Sequence, residues 1–592
     1  MGGPTTLIGL AASPGIAIGR CWTIDRRKVR TPRRKLLPEE IDAELLRFRS
    51  AIERSDRQLA EVREKVEKAE GTEHTAIIDM HRLMLKDEML VVEAQRLIRD
   101  EGVNAEWAVK RAIRKIKGAF RAVADDYFKE RRADVEFVGE RVIKNLLGQV
   151  VDVAERPPDG AIVVAHDLSP ADTALLLHDG KVGGFVTDAG AMTSHTAIVA
   201  RALEIPAVVG VGRISTMVDR GDWIVVDGGR GIVVLNPSPG ERADYEAARE
   251  RYLEQEEELS RLRDLPAKTL DGVTVRLAGN IEFAEEVPSL LSHGGEAVGL
   301  FRSEFLFLGR RDLPDEEEHY RTYRRVLEAL APRPVTIRTF DLGADKLPTG
   351  QRDHTENPAL GLRAIRYCLR HPDMFRDQLR ALLRAGTHGN LKIMFPMVSG
   401  VAELRAAKRM LAEAREELSR EGVETSLPPV GIMVELPAAA MLADRLAREC
   451  DFFSVGTNDL IQYTIAIDRQ NKDVAYLYKP LHLSVLRTLR FICQAGREAK
   501  IPVSMCGEMA GEPLYTLVLL GLGLDELSMN GPSIPLVKKV VRAASAADGR
   551  ALLERLLGLT SGEEIEREVR SEMARRFPGL LEAEAAVGPV AG

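Results

Sequence analysis

Residues 187–201 read Thr-Asp-Ala-Gly-Ala-Met-Thr-Ser-His-Thr-Ala-Ile-Val-Ala-Arg and set one histidine, His195, among hydroxyl side chains. The apolar run before them has the pattern of a buried strand. Ile198, Val199, Ala202 and Leu203 then recur with helical spacing, so His195 falls at or near a helix's first turn. Free N–H groups and the positive end of the helix dipole favour a dianionic phosphoryl group there, and Thr193, Ser194 and Thr196 add hydrogen bonds. A neutral imidazole in that place has the chemistry of a nucleophile. Alone, the motif is more simply a surface histidine beside a Ser/Thr cap; the remainder of the chain decides between the two.

A second set of reactive side chains lies downstream. Glu435 ends the run Gly431-Ile-Met-Val-Glu, and Asp459 ends Phe452-Phe-Ser-Val-Gly-Thr-Asn-Asp. If both apolar runs are neighbouring strands, the two carboxylates finish close together. Such a pair suits magnesium, which takes one or two protein carboxylates and completes its octahedron with water and substrate oxygens; the plain alternative is two capping carboxylates. Arg302, Arg338, Arg363 and Arg469 fall in loops or strand ends of the same units. Singly each is an ordinary ion-pair partner, but together they describe a pocket for a small anion carrying both carboxylate and phosphate, which guanidinium forks grip bidentately. Cys506 ends a further run, Val503-Ser-Met-Cys-Gly-Glu. A thiol with an ordinary pKa of about 8.5 is protonated at neutral pH and able to give up its proton or act as a nucleophile, whereas a cysteine after an apolar strand is commonly packing.

The elements that must position these groups are legible in the alternation of the chain. From residue 274 onward, strand candidates at 274–279, 297–301, 335–340, 391–395, 430–434, 452–456, 501–505 and 526–529 are separated mostly by long amphipathic segments. Eight strand-helix units predict a (β/α)8 TIM barrel, whose functional groups gather at the carboxyl ends of the strands. Asn280, Glu282, Arg302, Glu304, Arg338, Asp341, Glu435, Asn458, Asp459, Cys506 and Glu508 all follow apolar runs in this way and are expected to converge on one mouth. Before the barrel, short apolar runs between 160 and 235 predict an α/β domain, to which the early strand Ile16-Ala-Ile-Gly19 also belongs. The glycine-poor, charged stretch between them is helical. Its stripe of Ile77, Ile78, His81, Met84 and Leu85 fits either a core or a partner face. The expected class is therefore multidomain α/β. Residues 1–30 and 147–236 form the α/β domain, 31–146 a helical insertion, 237–265 a linker helix and 266–592 the barrel.

Composition narrows the function classes. A net charge of -7 over 592 residues, with 45% hydrophobic and 29% charged side chains, argues against nucleic-acid binding and for an ordinary soluble protein. No run has the length of a membrane span or the form of a secretory leader. Five scattered cysteines form no Cys-x-x-Cys pair, which points to thiols in a reducing cytoplasm.

Several runs together resemble Enzyme I of the bacterial sugar phosphotransferase system. They are Ala12-Ser-Pro-Gly15, Thr193-Ser-His-Thr-Ala-Ile-Val-Ala-Arg201, Gly299-Leu-Phe-Arg-Ser-Glu-Phe-Leu306, Ile337-Arg-Thr-Phe-Asp341 with Asp345-Lys346, Glu356-Asn-Pro-Ala-Leu-Gly-Leu-Arg363, Gly431-Ile-Met-Val-Glu435, Phe453-Ser-Val-Gly-Thr-Asn-Asp459 and Cys506-Gly-Glu508. The resemblance runs over essentially the whole chain. It implies a swivelling α/β phosphohistidine domain with an inserted helical domain that binds the carrier protein HPr, followed by a phosphoenolpyruvate-binding barrel. It also implies that His195 is phosphorylated on Nε2 and that Glu435 and Asp459 hold magnesium. Arg302, Arg338, Asn458 and Arg469 would bind phosphoenolpyruvate, Arg363 would lie near the phosphate, and Cys506 would protonate the enolate to pyruvate. HPr would dock on the face around His81, Met84 and Leu85, and the enzyme would be a cytoplasmic homodimer. Because histidine and anion pocket lie in different domains, a swivel is expected, with its hinge near Pro237 and the charged helix after it.

Two positions depart from the family's usual pattern. Ala191-Met192 stands where Gly-Arg is general, and Ala344 replaces a usual glycine. A methionine before Thr-Ser-His is familiar from pyruvate phosphate dikinases, so a phosphoenolpyruvate synthase or dikinase is one rival reading. Those enzymes need an ATP-grasp domain ahead of the histidine, and no glycine-rich nucleotide loop precedes it here. The other rival is a non-catalytic, phosphorylation-regulated module.

Overall fold

Continuous apolar runs become strands buried on both faces, and that single property organises both halves of the molecule. The computed structural model describes residues 4–24, 31–70, 81–82, 84–121, 135, 138–148, 157–168, 182–190, 197, 200, 205–307, 313–343, 357–469, 471 and 473–578. The chain forms two compact units, with the boundary between Glu254 and Gln255.

The first unit is built on an eight-stranded mixed sheet. Its strands are β1 (Thr5–Ile8), β2 (Leu10–Ser13), β3 (Ile16–Ile24), β4 (Ile162–Ala165), β5 (Gly184–Thr187), β6 (Ala207–Val209), β7 (Trp223–Asp227) and β8 (Ile232–Leu235). They lie in the order β1-β8-β7-β3-β4-β5-β6-β2. β3, β4, β5 and β6 are parallel, which requires crossovers, and the remaining pairs are antiparallel. Along β4 the side chains alternate between two cores. Ile162 and Val164 pack with Val186 and Val226, while Val163 and Ala165 pack with Phe185, Ala197 and Ala200. Burial on both faces is what makes such strands read as unbroken apolar runs.

Between β3 and β4 lie the helices Ile41–Glu70, Glu88–Glu101 and Ala105–Arg121. They enclose a core of their own around Phe48, Leu59, Leu85, Ile98, Val109 and Val142. Asp87 caps the second of these helices by accepting from Met89 N–H at 2.8 Å. After β8 comes the helix Pro239–Ser260, opened by a reciprocal cap in which Ser238 N–H and O–H donate to Glu241 and Glu241 N–H donates back. Its Arg242 guanidinium stacks 3.9 Å from the ring centre of Trp223, whose ring also lies 4.3 Å from Arg20. The first turns of this helix thus belong to the first unit.

The second unit is a closed barrel of eight parallel strands. These are β9 (Arg276–Ile281), β10 (Val298–Arg302), β11 (Pro334–Arg338), β12 (Asn390–Phe395), β13 (Val430–Val434), β14 (Phe453–Val455), β15 (Val503–Met505) and β16 (Glu526–Met529). β16 pairs with β9 through Glu526 and Arg276, which closes the ring. Amphipathic helices such as Glu316–Leu330, Pro372–Ala385, Val401–Arg420 and Leu483–Ala499 pack outside it. Leu300, Met394, Met433, Phe452 and Cys506 cluster separately from that outer core. β11 stops at Arg338, two residues before the apolar run ends, because Phe340 N–H is taken by the Gln378 side chain at 3.0 Å.

Among the described residues no helix is long and apolar enough to cross a membrane. All five cysteines are free thiols and buried.

Candidate functional site

At the carboxyl end of β11, Arg338 is the centre of an ion-pair network that leaves almost nothing exposed. Its Nη2 donates to Glu304, which follows β10, and its Nη1 lies 2.7 Å from Asp341 Oδ2. Burial pulls the guanidinium down, but Asp341, Glu304 and Glu435 outweigh it and hold Arg338 charged. Burial pushes the Glu304 carboxyl up, against the pull of Arg338. Arg338 Nε and Glu304 Oε2 are buried without a hydrogen-bond partner. The orphaned Arg338 N–H is a place that a bound anion completes, while the Glu304 oxygen, an acceptor, calls for a donor or a cation.

Asp341 carries the network onward. Its Oδ1 accepts from Arg363 Nη2 at 3.0 Å, and the same nitrogen donates to Asp459 Oδ2 at 3.1 Å. Glu435, 2% exposed at the end of β13, accepts from Met397 N–H at 2.6 Å. Burial first, then the charges of Asp341 and Asp459, push the Glu435 carboxyl up to about 8 despite Arg338 and Arg363. A carboxylate raised by neighbouring negative charge in this way favours a cation beside it. Among the described residues no group of three or more His, Cys, Asp or Glu side chains is arranged to hold a metal. Two carboxylates, Glu435 and Asp459, do not make an all-protein cage, and a hard cation there would need water and substrate oxygens to complete its shell.

Cys506, at the end of β15, is 5% exposed, with Sγ 3.7 Å from Val455 O. Burial pushes the thiol up to about 11, against the pull of Ser454 and Arg338, so it remains a proton carrier. The Cys506 carbonyl accepts from Asn280 Nδ2 at 3.0 Å, and Ser528 O–H donates to Asn280 Oδ1 at 2.6 Å, which ties β9, β15 and β16 together under the thiol. The next residue has to be glycine. A Cβ on Gly507 would stand 1.8 Å from Thr457 Oγ1, forcing the loop of Cys506 and Glu508 off the loop of Asn458 and Asp459. With glycine in place, Asn458 Nδ2 donates to Glu508 Oε1 at 2.7 Å and Glu508 N–H donates to Asn458 Oδ1 at 2.9 Å. Arg469 reaches the same Glu508 oxygen at 3.5 Å. Arg302 donates to Glu282 Oε1 at 2.8 Å across β10 and β9.

The structure thus places the barrel residues anticipated from sequence at one end of the strands. Arg338, Arg363, Asp341, Glu304 and Asp459 are joined by direct ion pairs, with Glu435 within their field; Asn458 and Arg469 are joined through Glu508. His195, its neighbours Thr193, Ser194 and Thr196, and the departures Ala191-Met192 and Ala344 lie outside the described residues. The expected partner face is corrected. His81 and Leu85 are buried at 3% and 0% exposure and Met84 is half-buried against the helical core, while Ile77 and Ile78 of the same stripe lie outside the described residues. Met397, Tyr463 and Gln378 were not anticipated. Met397 adopts a left-handed φ of 56°, which no sequence pattern announces in a non-glycine residue. The signal for Tyr463 is its place one helical turn beyond Asp459, which puts it on the same face.

The chain that carries this multiply charged mouth is matched by known proteins along most of its length. Family models described as the N-terminal, mobile and PEP-binding domains of PEP-utilising enzymes match residues 8–131, 157–231 and 256–546. The chain is 42% identical over 562 residues to the phosphoenolpyruvate-protein phosphotransferase of Bacillus sp. (strain S), covering 95% of this chain and 97% of that protein. It is 43% identical over 565 residues to that of Priestia megaterium, covering 95% and 98%, and 42% identical over 561 residues to that of Bacillus subtilis (strain 168), covering 94% and 98%. Similarity of this extent, carried through every part of the molecule, makes the chain a member of the phosphoenolpyruvate-protein phosphotransferase family.

Proposed function

We propose that this enzyme transfers the phosphoryl group of phosphoenolpyruvate to His195 and from there to a histidine of an HPr-like carrier, releasing pyruvate as the first step of a sugar phosphotransferase system. The observation that carries the reading is the interlocked set of Arg338, Asp341, Arg363, Glu435 and Asp459 at one end of the barrel, with a buried, protonated Cys506 in the same field. Phosphoryl transfer asks a protein mainly for positioning and charge stabilisation, and this set supplies both.

In this reading Arg302, Arg338, Asn458 and Arg469 hold phosphoenolpyruvate, and Arg363 lies beside its phosphate. Glu435 and Asp459 hold Mg2+, which when bound supplies positive charge beside the transferring oxygens. The phosphorus–oxygen bond of phosphoenolpyruvate breaks as a bond to Nε2 of His195 forms. The departing enolate takes the Cys506 proton on its methylene carbon and becomes pyruvate. His195 belongs to the first unit's segment and the anion pocket to the second, so the cycle includes a movement about the connection that contains the helix Pro239–Ser260. Pairing as a homodimer through the barrel, where Leu360, Met441 and Tyr476 are exposed, belongs to the same reading.

The test is incubation with labelled phosphoenolpyruvate and Mg2+ followed by mapping of the label. An acid-labile, base-stable label on His195, absent from His195→Ala, is the expected result, with pyruvate release sustained only when HPr is added. Label elsewhere, or turnover without a carrier, would overturn the proposal.

A further inference from the structure

Arg363 is held by three groups, and one of them is a neutral side chain outside every motif quoted above. Tyr463 lies on the helix Thr457–Ile465, one turn beyond Asp459. Its phenol donates to Ala359 O at 2.6 Å, and Arg363 Nη1 donates to the phenol oxygen at 3.4 Å. A phenol has one proton, and here it is committed to Ala359, so the oxygen's lone pairs are what faces the guanidinium. Burial pushes the Tyr463 pKa up from its ordinary value, which keeps that proton in place at working pH. The other guanidinium nitrogen, Nη2, is shared between Asp341 and Asp459.

The backbone around Arg363 is pinned as well. Arg363 pairs with Gly343 in a short antiparallel bridge, and Ala364 N–H donates to Leu342 O at 3.2 Å. Ala364 itself sits at φ 53°, ψ -131°, a conformation that a residue with a Cβ adopts only when its surroundings over-determine it. One end of the segment 359–364 is therefore held by the loop after β11 and the other by Tyr463. Should Asp459 turn from Arg363 toward a cation, Tyr463 is the contact on the same helix that still holds the arginine.

We infer that Tyr463 is a positioning residue for phosphoryl transfer, fixing Arg363 against the phosphate through its hydroxyl group without touching the substrate. The inference rests on the placement of Arg363 beside the phosphate proposed above. It predicts that loss of the hydroxyl weakens the grip on phosphate and leaves the carboxylate side of the pocket intact.

The experiment uses the full-length chain and Tyr463→Phe, which keeps the ring. Pyruvate release with a carrier present gives kcat and KM for phosphoenolpyruvate. Inorganic phosphate and oxalate, a planar dicarboxylate shaped like the enolate, serve as competing probes. Removing a hydrogen bond to a charged group lowers kcat/KM by about tenfold or somewhat more. Phosphate inhibition weakens by a similar factor, and oxalate inhibition stays at its wild-type value. In an Arg363→Ala background, Tyr463→Phe has no further effect, as coupling through one partner requires. Wild-type kinetics for Tyr463→Phe, equal weakening of phosphate and oxalate, or an undiminished effect when Arg363 is absent would each overturn the inference. An Arg363→Ala enzyme with unchanged kcat/KM would instead remove the premise that Arg363 serves the phosphate.

Discussion

The two ends of the barrel use charge in opposite ways. At the amino-terminal ends of the strands, charged side chains finish backbone hydrogen bonds. Asp451 accepts from Val430 N–H at 2.7 Å, Asp525 accepts from Val503 N–H at 2.8 Å, and the buried Lys538 donates to the carbonyls of Arg263 at 2.8 Å and Gly294 at 3.2 Å. At the carboxyl ends, Arg338, Arg363, Glu304, Asp341 and Asp459 pair mostly with one another, and two of their buried polar atoms have no partner. Burying ions costs several kcal/mol each, and packed apolar side chains would stabilise the same volume as well or better. The floor is thus a finished structure, and the mouth carries charge whose purpose is a ligand.

The largest effect that would break this contrast is at Arg338. Arg338→Met is expected to lower kcat/KM by about a thousandfold or more, since it removes a donor aimed at developing charge. It also destabilises the barrel by about 3–5 kcal/mol, because Glu304 and Asp341 are left buried without it. Adding Glu304→Leu should restore much of that stability in urea unfolding and none of the activity. If stability and activity returned together, the mouth would be structural and the contrast false.

Next in size is Cys506→Ala, expected to slow pyruvate formation by about a hundredfold to ten-thousandfold while phosphoenolpyruvate binding, followed by calorimetry, persists. The sign of the pH dependence follows from burial. Because the folded thiol is raised to about 11, it stays protonated, and able to act as an acid, through the range where an ordinary cysteine ionises. The rate should therefore hold through about pH 9 and fall only as pH approaches that raised value. A wild-type rate that fell with a midpoint near 8.5 would show that Cys506 is not the buried acid described.

At the floor, Lys538→Met is expected to cost about 1–3 kcal/mol, because it takes a donor from two carbonyls, and to leave kcat/KM unchanged below the melting temperature. Chemical denaturation alongside steady-state kinetics separates the two quantities. A loss of activity in the folded protein would carry function to the wrong end of the barrel.

The same contrast explains what could be read in advance. β13 falls where its apolar run predicted, because a parallel barrel strand buried on both faces has no polar alternation to blur its limits, and β16, which reads Glu-Leu-Ser-Met, also falls where it was expected. Glu435, Asp459 and Cys506 were legible because a reactive residue directly after such a run must lie at the mouth. β11 ended early because a glutamine 38 residues away captured Phe340 N–H, a tertiary contact with no local signature. The stripe at His81, Met84 and Leu85 shows the limit of periodicity: helical spacing states that a face is buried and not against what. Its apolar residues met their own bundle, whereas charge at strand ends had nowhere to go but the mouth.

The smallest predicted effect compares one backbone feature at both ends. Lys500 and Ala364 are both non-glycine residues with positive φ, 60° and 53°. Lys500 is an exposed left-handed cap on the helix Leu483–Ala499 at the floor, and Ala364 is buried next to Arg363 at the mouth. Lys500→Gly should raise stability by up to about 1 kcal/mol, the steric cost of that conformation, with kinetics untouched. Ala364→Gly relieves a larger strain, about 1–3 kcal/mol, because ψ -131° lies outside the left-handed well that Lys500 occupies, but it gives up a buried methyl worth about 0.8 kcal/mol and adds backbone freedom, so its net stability change is small. Its expected signature is kinetic, a few-fold rise in KM for phosphoenolpyruvate as the Arg363 segment loosens. Thermal unfolding and KM measured on both variants decide the matter: equal behaviour would mean that strain beside Arg363 is an incidental turn like the one at Lys500, while divergence would show that the mouth keeps its strained residue to hold an arginine still.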